Sequence, residues 1–176
     1  MTMAEIIELA SKKTVNQMLQ REDFKKRIKN DQDISTVELM YPLMQGYDSV
    51  MLKSDVELGG TDQLFNMLVG RDLQKRMNSD VVQEVITVRI LEGLDGVEKM
   101  SKSLNNYIGL TENSNQIYGK TMSIPDILII KYFELATNVP LAEIEKIKKA
   151  LSQGENPRNL KMHLAREIVT LYHDKK

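Results

Sequence analysis

An α/β region running to about residue 110, followed by a purely helical region, is the fold class that this 176-residue sequence predicts. Three observations predict it. Val81 to Leu91 is dense in β-branched residues (Val81, Val82, Val85, Ile86, Thr87, Val88 and Ile90), the composition of a strand. Val56–Gly59 is a short run that ends in the double glycine Gly59-Gly60 and opens into a helical pattern, as a buried strand followed by a helix would. Past about Glu112 only helical periodicity recurs.

The elements follow in order. Residues 3–29 place Ile6, Ile7, Leu9, Ala10, Val15, Met18 and Leu19 at spacings near 3.6, so helices are expected. Lys25, Lys26, Arg27 and Lys29 form a basic cluster, expected as a solvated helix end. Ser35-Thr36-Val37-Glu38 is a capping box, and a helix should run from it to about Val50. Pro42 lies inside that helix, removes one backbone bond and predicts a kink. Thr61 is expected to cap a helix from Asp62 to about Met77. Gly93-Leu94-Asp95-Gly96 reads as a turn. Further helices are expected at 113–119, 124–137, 140–152 and 157–173, with Pro140 opening the third and Asn156-Pro157 the fourth. There is no internal repeat and no low-complexity stretch.

Composition narrows the function. Hydrophobic residues make up 41%, enough for a packed core, and eleven Met adapt that core where Trp is absent. A net charge of -1 excludes a uniformly basic nucleic-acid coat but not a local basic surface. With no Cys there is neither a disulfide framework nor a thiolate metal site, which fits a reducing compartment. No apolar run approaches the roughly 20 residues that span a bilayer. The start Met1-Thr2-Met3-Ala4-Glu5 has neither signal- nor transit-peptide character. A cytoplasmic protein without a membrane partner is expected.

Three places carry chemistry. Lys99-Met100-Ser101-Lys102-Ser103 follows a strand and an Asp-Gly turn. Two lysines three residues apart, among small hydroxyls, suit a polyanion, because each ammonium is a compact charge with three donors. In nucleotidyl transfer such cations would meet the charge that builds on pyrophosphate. The plainer alternative is an exposed polar loop. Gly59-Gly60-Thr61-Asp62-Gln63 joins a strand to a helix start. Glycine lets a ligand approach the backbone, a helix start offers free N–H groups, and Asp62 can accept from two ribose hydroxyls. The alternative is an ordinary strand-to-helix turn. Tyr41, Gln45 and Asp48, at i, i+4 and i+7, share one helix face with Val37 and Met44, a face expected to turn inward. Buried there, an acid and an amide need partners, so either a core network or a polar pocket for a ligand with an amine and a hydroxyl is expected.

Together these runs resemble tyrosyl-tRNA synthetases of bacterial type, a class I aminoacyl-tRNA synthetase family, over essentially the whole chain. Lys99-Met100-Ser101-Lys102-Ser103 matches the class I signature loop letter for letter, and the resemblance implies that Lys99 and Lys102 stabilise pyrophosphate, with Met100, Ser101 and Ser103 in the nucleotide-binding loop. Tyr41-Pro42-Leu43-Met44-Gln45-Gly46-Tyr47-Asp48 resembles the tyrosine-binding helix: Tyr41 and Gln45 would contact the α-amino group and Asp48 the phenolic hydroxyl. Glu57-Leu58-Gly59-Gly60-Thr61-Asp62-Gln63 resembles the nucleotide-binding turn, with Gly59, Gly60 and Asp62 at the ribose and Gln63 near the substrate carboxylate. Implied with the family are the second half of a Rossmann-like parallel sheet within residues 1–111, and a helical domain over 112–176 leading toward the tRNA anticodon stem. Lys146, Lys148, Lys149, Arg158 and Lys161 would meet phosphates there. Tyrosine, ATP with Mg2+ as co-substrate, tRNA(Tyr) and a homodimer with its interface near Ser35 complete the implied picture, with no tightly bound metal. Tryptophanyl synthetases share such a loop, and a non-catalytic RNA- or protein-binding module derived from a synthetase is the other alternative.

The sequence departs from the family pattern in three respects, and a fragment lacking the first half of the active site is expected. The tyrosine-binding residues of the family's first half and a terminal RNA-binding domain of the usual length are absent from the sequence. The His-x-Gly-His signature that binds ATP phosphates is missing, and the only histidines are His163 and His173. An incomplete active site, unable to activate tyrosine alone, is therefore expected. So are an exposed sheet edge and apolar face, and with them self-association.

Overall fold

The structure, a computed structural model, describes residues 2–173. The chain divides into two compact units, Met1–Arg89 and Ile90–Lys176. The division falls upstream of the change of texture at Glu112, because Leu91, Leu94, Met100 and Ile108 pack against the core of the helical unit.

The first unit opens with three short helices, α1 (Met3–Ala10), α2 (Val15–Met18) and α3 (Glu22–Lys29). Capping boxes start the first two: Thr2 with Glu5, and Thr14 with Gln17. Lys26, Arg27 and Lys29 of the basic cluster occupy the last turn of α3, where cations favour the helix dipole. Arg27 reaches from there to Glu38, tying α3 to the first turn of the next helix. That helix, α4 (Thr36–Leu52), begins at the Ser35–Glu38 capping box and carries Pro42 in its interior.

The strand β1 (Val56–Gly60) is followed by a 3-10 turn over Thr61–Gln63, then α5 (Leu64–Arg76) and β2 (Glu84–Val88). Thr61 does not cap α5; the turn intervenes, and no side chain caps the helix start. The two strands pair in parallel, Val56 opposite Glu84 through Gly60 opposite Val88, so β1–α5–β2 is a βαβ unit. β2 is shorter than the Val81–Leu91 run because a ladder extends only as far as its partner, and β1 has five residues.

β1 is not buried as expected. α5 covers one face of the sheet, while Val56, Leu58, Ile86 and Val88 on the other are 52–68% exposed. The core of the unit lies between α4 and α5, where Leu43, Val69 and Leu73 close with Leu9 and Met18. The helices approach closely at two glycines. A Cβ on Gly46 would lie 2.9 Å from the Gly70 nitrogen, and one on Gly70 would lie 2.8 Å from Ser49 Oγ. Beneath this crossing, buried Gln74 donates to the carbonyls of Ser49 and Ser54 and accepts from the Gln83 N–H, while Gln83 donates to the Met67 carbonyl and the Glu57 carboxylate.

The second unit is built from α6 (Ser114–Ser123), α7 (Ile129–Ala136), α8 (Leu141–Ser152) and α9 (Pro157–Tyr172). Ile117, Ile124, Ile129, Phe133, Ile144 and Leu164 lie at its centre. The helix expected over 124–137 is interrupted. Pro125 forces Ile124 into an extended conformation, and a 3-10 turn over Asp126–Leu128 precedes α7. Asn113 and Gln116 form a capping box at the start of α6, and the helix runs to Ser123 rather than to the expected 119. Asn156 caps α9 with Pro157 in its first turn, as the sequence predicts.

Gly46→Ala should destabilise the chain by about 1–3 kcal/mol, because the added methyl meets backbone rather than a side chain that can swing away. A urea midpoint lowered at constant m-value is the expected result.

Candidate active site

In the first unit, Tyr41, Asp62 and Gln63 line a cavity of about 860 Å³, while Gln45, Asp48, Gly59 and Gly60 are not among its walls. Arg21, Asp23, Tyr41, Asp62, Gln63 and Asn66 are among its walls. β1 delivers the chain to Gly60, and the 3-10 turn presents Asp62 at the surface. Gln63 Nε2 lies 3.3 Å from Asp62 Oδ2, and Asn66 Nδ2 donates both to Gln63 Oε1 at 3.2 Å and to Gln45 Oε1 at 2.9 Å. A continuous polar chain thus runs from the helix carrying Tyr41 and Gln45 to the turn carrying Asp62. Its central member, Asn66, was not singled out from the sequence. It is 6% exposed, and its carbonyl oxygen is buried without a partner. Only its place three residues after Gln63, in the first turn of α5, signals it.

The face of Tyr41, Gln45 and Asp48 does not turn inward within this unit. Tyr41 is 62% exposed, Asp48 is exposed and Gln45 half-buried, whereas Leu43, Gly46 and Ser49 are the buried face. The close approach to α5 chooses that face, since only small residues fit the crossing. Asp48 does not line the cavity. Gly59 also has a packing reason for its identity: a Cβ there would lie 2.9 Å from Met67 Sδ on α5.

Arg21 and Glu38 frame the cavity electrostatically. Arg21 pairs with Asp23 and sits 4.0 Å over the Phe24 ring. The Arg21 bond holds the Asp23 carboxyl below its usual range, and the Arg27 bond does the same for Glu38.

In the second unit, the lysine loop is framed by a turn and a bridge. Gly96 N–H closes on the Gly93 carbonyl, and Gly96 takes a positive φ of 76°. Asp95 Oδ1 accepts from the Val97 and Glu98 N–H groups at 2.8 and 2.7 Å. Glu92 and Lys99 form an antiparallel bridge, and Met100 N–H donates to the Leu91 carbonyl. Glu92 is anchored in turn: its carboxylate pairs with Lys131 at 2.6 Å, and its carbonyl accepts from the Tyr132 hydroxyl at 2.7 Å. Burial, with the Glu92 and Asp95 charges, pushes that hydroxyl up to about 12. Lys99 and Lys102 are exposed, Met100 packs on the helical core, and the Ser101 and Ser103 hydroxyls lie 2.8 Å apart. The expected phosphate contacts of Lys146, Lys148, Lys149 and Arg158 fall on α8 and α9, all exposed; Lys161, half-buried, pairs with Asp126 at 2.5 Å.

Comparison with known proteins bears on all of this. The family "tRNA synthetases class I (W and Y)" matches residues 1–176. A tyrosine–tRNA ligase of Carboxydothermus hydrogenoformans is 56% identical over 176 residues, covering 99% of this chain and 43% of that protein. One from Shewanella oneidensis is 56% identical over 171 residues, covering 97% and 43%. The chain thus spans under half the length of these relatives. Among solved structures, a tyrosyl-tRNA synthetase of Archaeoglobus fulgidus complexed with L-tyrosine aligns with a TM-score of 0.69 at 25% identity, covering 96% of this chain and 60% of that one.

Asp95 supplies a pH test. The Asn106 side chain first, then the Val97 and Glu98 N–H groups, hold its carboxyl below the usual range. Its contribution is therefore complete above the unfolded value of about 3.9 and is lost as pH falls through the lower folded value. Amide exchange of Val97 and Glu98, corrected for intrinsic rates, should keep its protection down to pH 4 and lose it below.

Proposed function

The chain belongs to the class I tRNA synthetases of the tryptophan and tyrosine group, and from that membership we propose that it supplies part of the active site of a tyrosine–tRNA ligase. The reaction joins tyrosine to ATP as tyrosyl-adenylate, releasing pyrophosphate, and then passes the tyrosyl group to tRNA(Tyr). The observation that carries the reading is the polar chain Gln45–Asn66–Gln63–Asp62, which links an amino-acid-reading helix to a ribose-reading turn. Relatives 52–57% identical that bear the name tyrosine–tRNA ligase support it over the tryptophan branch.

In this reading Tyr41 and Gln45 hold the substrate ammonium. Gln45 is already oriented by Asn66, so little side-chain freedom is lost on binding. Gln63 lies toward the substrate carboxylate, and Asp62, with Gly59 and Gly60 leaving the backbone open, accepts from the ribose hydroxyls. Asp48 reads the phenol; its exposure leaves it accessible to a ligand. Lys99 and Lys102, in the loop with Met100, Ser101 and Ser103, neutralise the charge that accumulates on the departing pyrophosphate. Nothing in this set forms a covalent bond to substrate; the rate would come from positioning and from charge complementarity in the transition state. Among the described residues no group of three or more His, Asp or Glu converges as a metal cage. As the family membership implies, Mg2+ would enter with ATP as co-substrate, and no step is assigned to it. The uncovered sheet face of Val56, Leu58, Ile86 and Val88 is where helices of a longer polypeptide would pack, while further strands would pair at the sheet edge. A homodimer near Ser35 and tRNA contacts along α8 and α9 belong to the same proposal. Among the described residues no helix is long and apolar enough to cross a membrane. A cytoplasmic place goes with the synthetase reading.

Two substitutions in a full-length enzyme carrying this sequence test it. Asp48→Ala should narrow the preference for tyrosine over phenylalanine in kcat/KM by about 10²-fold or more, since a pocket that pairs the hydroxyl is what rejects its absence; an unchanged ratio removes Asp48 from the pocket. Lys102→Ala should slow adenylate formation by roughly 10²-fold while tyrosine affinity stays within about twofold, as expected for a contact made only in the transition state. Stopped-flow fluorescence separates the two quantities.

A further inference from the structure

We propose that Asn106 and Asp95 form a latch that holds the Lys99–Ser103 loop by its backbone and so positions its two lysines. The positioning half of the inference rests on the function proposed above; the latch itself does not. Asn106 is 6% exposed, and its amide uses both ends. Its oxygen accepts from the Ser101 N–H at 2.7 Å. Its nitrogen donates to the Asp95 carboxylate and, at 3.2 Å, to the Lys99 carbonyl. One side chain therefore fastens the loop on both sides of Met100. Asp95 organises the other partner, because its second oxygen holds the Val97 and Glu98 N–H groups that lead into Lys99. The Asn106 backbone takes part as well, its carbonyl accepting from Leu94 N–H at 2.8 Å.

The neighbouring sequence is shaped around this contact. Gly93 is buried, and a Cβ there would lie 2.3 Å from the Asn106 side chain and 2.4 Å from its carbonyl oxygen, so glycine is the residue that leaves the latch room. Met100 packs on the helical core on the inner side of the loop. Asn105 adopts a φ of 51°, in the left-handed region that asparagine tolerates, which turns the chain back so that Asn106 faces the loop it has just left. Lys99 and Lys102 are consequently presented outward while the backbone between them is fixed. A loop that must bring cations to a charge existing only in the transition state gains from such preorganisation, because no ordering remains to be done at that moment.

Trypsin reads the latch in the 176-residue chain itself, since both loop lysines are cleavage sites. Cleavage after Lys99 and Lys102, followed by mass spectrometry at a protease concentration where local opening limits access, should rise about tenfold or more in Asn106→Ala, since the side-chain bonds to Ser101, Asp95 and Lys99 are lost together. Cleavage at Lys146 and Lys149 should be unchanged, which separates local release from global unfolding. Gly93→Ala should reproduce the effect. The exchange Asp95→Asn with Asn106→Asp restores an amide–carboxylate pair and an acceptor for the Ser101 N–H but no donor for the Lys99 carbonyl, so it should recover part of the protection that either single change loses. Unchanged loop cleavage in Asn106→Ala overturns the latch, as does a uniform rise at all sites in every variant. In a full-length enzyme carrying this sequence, Asn106→Ala should lower kcat for tyrosine-dependent ATP–pyrophosphate exchange about tenfold, leave KM for tyrosine within about twofold, and add nothing once Lys99→Ala and Lys102→Ala are both present. Additive loss in that triple variant overturns the positioning role. Unchanged exchange in the lysine double variant instead overturns the functional reading, while the proteolysis still judges the latch.

Discussion

The close crossing of α4 and α5 is the constraint on which the first unit depends. Gly46 and Gly70 let two helices meet at backbone distance, and the space leaves no room for a methyl group. That approach brings Ser49, Ser54, Gln74 and Gln83 within hydrogen-bonding reach under the sheet. A buried amide that is fully bonded specifies one arrangement, because any other leaves it unpaired in a low-dielectric interior. The same crossing settles which face of α4 is turned away from α5, and hence that Tyr41 and Asp48 point outward. The site is in this sense the outer face of the packing.

Asn66 and Asn106 play parallel parts in the two units. Each is a buried asparagine whose amide ties candidate site residues together: the half-buried Gln45 and Gln63 in one case, the backbone at Lys99 and Ser101 of a single loop in the other. The difference lies in satisfaction. Asn106 has partners for both ends of its amide, whereas the Asn66 oxygen is buried and unpaired. An unsatisfied acceptor of that kind carries a desolvation penalty that a donor from ligand or water relieves.

Much of the fold was legible because local rules decide it. The Ser35–Glu38 box starts α4, Asn156-Pro157 starts α9, and the β-branched run contains β2. Thr2–Glu5, Thr14–Gln17 and Asn113–Gln116 are capping boxes of the same kind, readable in principle and passed over. The misplaced features depend on what lies across space. Thr61 has the chemistry of a cap, yet a 3-10 turn takes its place. Strand lengths follow from pairing, which a single segment does not contain. The inward or outward sense of Tyr41, Gln45 and Asp48 depends on which side of α4 meets α5, and the apolar residues Val37 and Met44 on the outer side gave the opposite impression.

The amino-acid sequence by itself determined most of the elements, their order, much of the capping chemistry and the three runs proposed to carry function, because each is encoded within a few residues by propensity, hydrogen-bonding capacity or a literal motif. Only the tertiary structure decided which residues serve those runs. Asn66, Asn106, Gly46, Gly70 and Gly93 are unremarkable as letters; their roles arise from contacts to positions between 3 and 27 residues away, most of them brought close by folding alone.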